Sequence, residues 1–177
     1  MSQPDKVSSR GFWAGLLEEE ARLVPRIRGV LRLDPRTYAE VDRDPASIPQ
    51  AFVVVIGAAL IAGLSGSLYV LFMDIAGLLF AWLVAAALIW AVASLMTGKE
   101  VDYARLVRCL GFAYVWVTPL LFAQIPYLGR LFNLAAIGLL FYSFVLATRQ
   151  VIGEQALRVC AIALVLPYVV VLLATWS

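Results

Sequence analysis

From residue 51 onward only ten charged residues interrupt the chain: Asp74, Lys99, Glu100, Asp102, Arg105, Arg108, Arg130, Arg149, Glu154 and Arg158. They leave five uncharged runs, 45–73, 75–98, 109–129, 131–148 and 159–177. A helix rising about 1.5 Å per residue needs roughly 20 apolar residues to cross a hydrocarbon core about 30 Å thick, and each run is close to that length. Barrel strands would alternate apolar and polar residues in segments of about 10. Runs such as "VVVIGAALIAGL" and "LVAAALIWAVASL" are instead apolar on every face. The expectation is an all-α integral membrane bundle of five helices, with spans at about 50–72, 75–97, 104–124, 131–148 and 157–176. Composition agrees, because 63% of the 177 residues are hydrophobic and 15% charged, against about half and a quarter in soluble domains.

The charges set an orientation. Residues 1–50 hold 8 of the 14 Lys and Arg, the connection between spans two and three holds Lys99, Arg105 and Arg108, and that between four and five holds Arg149 and Arg158. The other side has Arg130 alone, a division of 13 against 1. The basic side faces the cytoplasm, so the N-terminus is expected inside and the C-terminus outside. The first run lies behind a charged segment and does not read as a cleaved signal, so it is expected to remain in the mature protein.

Residues 1–47 read as a cytoplasmic segment preceding the membrane domain at 48–177. Its first ten residues are polar and read as disordered. "GFWAGLLEEEARLVPRIRGVLRL" is amphipathic, with Trp13, Leu16, Leu17, Val24, Ile27 and Leu31 at near-helical spacing. Pro25 is expected to bend or divide it. Arg22, Arg26, Arg28 and Arg32 beside that stripe suit either the anionic membrane surface or the protein's own loops. Asp34 followed by Pro35 predicts an N-cap and first-turn proline for an elbow helix through about Asp42, stopped by Asp44 and Pro45.

Within the spans, Ala59, Gly63 and Ser67 form a row of small residues that lets another helix approach, in the same bundle or in a second copy. Gly111 permits close packing in span three. Asp74 reads as an N-cap at the outer turn before span two. Arg105 and Arg108 share a face near the start of span three, and with Arg149 and Arg158 they are candidate headgroup contacts, phosphate binding by the pair being the sharper form of that idea. Pro119 and Pro167 are expected bends, and Pro126 belongs to the outer turn "QIPYLG". Cys109 and Cys160 fall near cytoplasmic span ends and read as small packing residues.

The chain contains no histidine, which excludes Ser-His and Cys-His nucleophile pairs and HExxH zinc sites. No P-loop or GxGxxG occurs, no pair of acids lies within the spans, and "GLSGS" at 63–67 is not GxSxG. Neither an enzyme nor a cofactor is expected. Thr118, Gln124, Asn133, Tyr142 and Ser143 are the polar residues in or near spans three and four. They allow either hydrogen bonds between helices or a polar path for a solute or lipid. Expected partners are membrane lipids and a second copy or another membrane protein, not nucleic acid.

"LVRCLGFAYVWVTPLLFAQIPYLGRLFNLAAIGLLFYSFVLATRQVIGEQALRVCAIAL" resembles the C-terminal half of the Yip domain family, the Ypt- and Rab-interacting membrane proteins, in its bacterial version. The features are Arg108 before Gly111 to Ala113, Pro119 within the same span, the Ile125 to Gly129 turn, and Ala156 to Arg158 ending the last loop. The approach "LRLDPRTYAEVDRDPASIPQA" is also similar, and the resemblance covers about residues 30–170. It implies five spans with a cytoplasmic N-terminus and, for this bacterial type, the cytoplasmic membrane and no particular activity. Eukaryotic members are associated with small prenylated GTPases. Neither their long N-terminal region nor their Asp-Leu-Tyr-Gly-Pro motif occurs here, so GTPase binding does not carry over.

Overall fold

The computed structural model describes residues 22–63, 68–98, 100–125 and 128–165. Among these, every regular element is helical. A first helix, α1, covers 22–31. It is followed by α2 (Pro35–Arg43), α3 (Ser47–Ala62), α4 (Leu68–Thr97) and α5 (Tyr103–Ala113), which runs on as a 3-10 stretch, Tyr114–Gln124. Then come α6 (Gly129–Ile152) and α7 (Ala156–Cys160), the latter continuing as a π-helical turn, Ala161–Val165.

Local chemistry explains the starts. Asp34 accepts from the Arg36 backbone N–H at 2.9 Å, and Pro35 opens α2. Asp102 does the same for α5, accepting from the Ala104 N–H at 2.9 Å. Both meet donors that a helix's first turn leaves without partners. At Gly153, the φ of 79° ends α6 in a conformation that glycine adopts without steric cost.

The turn between the first two apolar helices differs from the sequence expectation. It lies after Ala62, with Gly63 as the C-cap, and α4 has begun by Leu68, so Asp74 is an exposed residue inside α4 and not its N-cap. Of the small residues read as a packing row, Ala59 lies within α3 and Gly63 lies where the chain turns. A Cβ at Gly63 would stand 2.8 Å from Leu71 Cδ1 and 3.1 Å from Asp74 Oδ2, so those two side-chain ends would have to shift to admit one. Ser67, Pro126 and Pro167 lie outside the described residues, as does the part of the amphipathic segment before residue 22.

Two helices, Tyr69–Thr97 and Gly129–Val165, are long and apolar enough to cross a membrane, and Ser47–Ile61 is a shorter apolar helix. At about 1.5 Å per residue, the 30 residues of α4 reach about 45 Å. Its outward side carries Tyr69, Phe72, Met73, Phe80 and Leu95, all exposed.

The helices α3, α4 and α5 meet at Trp82, which is fully buried. Its indole Nε1–H donates to the Val107 carbonyl at 3.1 Å, and the Phe52 ring meets it edge-on with centroids 4.8 Å apart. Gly111 makes the crossing possible, since a Cβ there would lie 2.6 Å from Ala51 Cβ and 2.9 Å from Trp82 Cζ2. Small residues allowing backbones to approach in this way are the usual device of membrane helix packing. Alongside, α6 packs on α5 and its 3-10 continuation, with Tyr114 on Phe144 and Phe122 on Phe132. One hydrophobic core runs from Val30 in α1 through Tyr38 and Val41 in α2 to Ala163, so the short N-terminal helices share the core of the apolar ones.

Pro119 sits inside the 3-10 stretch, so the expected bend takes the form of a change of helix type over Tyr114–Gln124. In α geometry a proline at 119 leaves the Val115 carbonyl without its donor. Thr118 Oγ1 donates to that oxygen at 2.8 Å, the kind of local hydroxyl repair by which apolar helices tolerate proline.

Candidate functional site

Most of the buried polar side chains among the described residues gather where α1 and α2 dock against α3, α5 and α6. Three arginines and three carboxylates meet there. Arg26 is only 3% exposed, and its guanidinium donates to Glu40 Oε1 at 3.0 Å, Gln50 Oε1 at 2.7 Å and Asp44 Oδ2 at 2.7 Å. It thereby ties α1 to α2 and to the first turn of α3. Its hydrogen bond holds the Asp44 carboxyl below the usual carboxylate range.

Asp42 is the second node. Arg105 Nε–H donates to its Oδ1 at 2.7 Å, and a second guanidinium nitrogen meets Oδ2, the two-pronged geometry that suits a carboxylate best. Arg108 Nη2 donates to the Asp42 backbone carbonyl at 3.1 Å. A third contact joins Tyr38 Oη to Ser143 Oγ, bringing α2 onto α6. Burial pushes the Tyr38 phenol above its ordinary range. Asp42 lies on the same face of α2 as Tyr38 and Val41, which is the buried face.

This geometry relocates several expected roles. Arg108 is 7% exposed and turned into the protein, with its Nε–H buried and unpartnered, so it is a core residue and not a headgroup contact. Arg105 keeps 38% exposure but is engaged by Asp42. Arg149 and Arg158 are exposed near the same end of the molecule. Arg26, expected on a surface stripe, faces inward with Leu23, Ile27 and Val30, while Val24 and Leu31 of the expected apolar stripe are exposed. In this phase α1 buries Leu23, Ile27 and Val30 together with the Arg26 side chain and leaves Val24 and Leu31 outside.

Ala59 is buried on α3, in keeping with a packing face. Asn133 is exposed on α6, Tyr142 is half exposed, Thr118 bonds within its own helix and Ser143 is taken by Tyr38. The side chain of Gln124 lies outside the described residues. Among the described residues, the polar side chains expected in spans three and four therefore do not converge on one path. Cys109 and Cys160 are buried free thiols, Cys160 donating to Thr148 Oγ1 at 3.4 Å.

What the arrangement can do is mechanical: it fixes a short helical hairpin rigidly to one end of the apolar helices. No family model, curated protein or solved structure matches this chain.

Proposed function

We propose that the chain is a non-enzymatic, multi-pass membrane protein of the Yip type, with five spans, a cytoplasmic N-terminus and an outside C-terminus. It acts as a scaffold or adaptor that presents the α1–α2 hairpin at the cytoplasmic face. The observation that carries this is the clamp formed by Arg26, Asp42 and Arg105, which uses the buried charge of the N-terminal helices to hold them against apolar helices. A buried ion cluster of this kind adds less stability than specificity of arrangement, which is what a platform for partners requires. The apolar outer side of α4 supports the membrane part, and the 8 of 14 Lys and Arg held by residues 1–50 support the orientation.

The test is cross-linking in intact membranes followed by purification in a gentle detergent. A species larger than one chain, lost when Asp42→Ala releases the hairpin, is expected. Recovery of the lone monomer, before and after that substitution, contradicts a scaffold.

A further inference from the structure

A groove of about 590 Å³ lies between α1 and α2 on the outer side of the clamp. Arg22 lines it from α1, and Arg36 and Arg43 line it from α2, spaced seven residues apart so that both lie on one helix face. All three are exposed, and among the described residues none of them takes part in an ion pair. The floor is Arg26, whose donors are directed to Glu40 and Asp44. Among the described lining residues, four guanidiniums against two carboxylates leave an excess of two positive charges.

The geometry points to a binding site for a phosphate monoester dianion, with Arg36 and Arg43 as its direct ligands and Arg22 on the opposite wall. The charge excess matches a dianion. Guanidinium forks match phosphate oxygens in pairs, and a site already rigidified by Arg26 needs little ordering on binding. The groove sits where α2 hands over to the apolar α3, with Asp44 in its lining and Ser47 opening α3. On the membrane reading proposed above, on which this part rests, that is headgroup depth. The dianion then comes either from a monoester phospholipid or from free phosphate.

The full chain in neutral detergent separates these cases, with short-chain phosphatidic acid, inorganic phosphate and short-chain phosphatidylcholine as the three probes in calorimetric titrations. R36Q/R43Q removes two ligands, and R28Q/R32Q removes the same charge from exposed positions, one in α1 and one in the turn after it, that do not line the groove. Circular dichroism and the elution profile check that both variants fold. The expected result is binding of the phosphate dianion that weakens about tenfold or more in R36Q/R43Q relative to R28Q/R32Q, since only the first removes its direct ligands. Binding of phosphatidic acid alone identifies a lipid headgroup, and binding of inorganic phosphate as well identifies the free anion. Equal losses in both variants, equal binding of phosphatidylcholine, or no binding of either phosphatidic acid or inorganic phosphate overturns the site. Alkaline carbonate extraction of the membranes that supply the protein reports separately on the membrane reading. A chain that is stripped off yet still binds inorganic phosphate through Arg36 and Arg43 would sink that reading while leaving the site in place.

Discussion

Arg105 grips Asp42 through both carboxylate oxygens, joining residues 63 positions apart, with Nε–H donating to Oδ1 at 2.7 Å. This contact makes the N-terminal helices part of the same body as α5. Removing either partner breaks the same fork. Asp42→Ala and Arg105→Ala should each lower the unfolding temperature in detergent, by the equivalent of about 2 kcal/mol for Arg105→Ala, which strands the buried Asp42 carboxylate. The double variant should be little worse than the single ones. Additive losses would show that the two side chains act independently.

The Gly111 crossing should be intolerant of added volume. Gly111→Ala places a methyl 2.6 Å from Ala51 Cβ, and overpacking of this kind costs about 1–3 kcal/mol. Ala51→Gly in the same chain should recover part of the lost thermal stability. A Gly111→Ala protein as stable as the parent would mean that the helices do not cross there.

At Gly29, α1 and α2 approach so closely that a Cβ would meet Thr37 Cβ at 2.9 Å. Gly29→Ala should loosen the hairpin without unseating the apolar helices. Limited proteolysis is expected to cut faster between residues 22 and 45 while the rest of the chain stays protected. Unchanged cutting would count against the observed packing of α1 on α2.

Acid should weaken the hairpin through Asp44. Its folded pKa lies below that of the unfolded chain, about 3.9, because Arg26 bonds the charged form. The stabilisation is therefore complete above that pH and is lost as the pH falls through the folded value. Asp44 is partly exposed, so the effect stays within about 1 kcal/mol. Asp44→Asn should be less stable near neutrality and should lose stability less steeply between about pH 5 and 3. Parallel curves for the two proteins would remove Asp44 from the clamp.

The helix start at Asp34 was legible in the sequence because capping is a local matter of one side chain and the next backbone N–H groups. The turn near Gly63 was not, because small residues serve both turns and close helix contacts, and Asp74 offered a plausible but unused cap. The clamp was hidden for a different reason. Ion pairs between distant elements leave no periodic trace, and Arg26, Arg105 and Arg108 read as surface charges until their partners are known. One signal did exist in α2, where Asp42 shares a face with Tyr38 and Val41. A carboxylate on an apolar face implies a buried cation, and Arg105 and Arg108 were available.

The most direct measurement is the sidedness of the two ends of the chain in intact membranes. A reporter fused after Ser177 should be reachable only from outside, and one fused before residue 1 only from the cytoplasm. Both reporters on the same side would contradict a five-span chain.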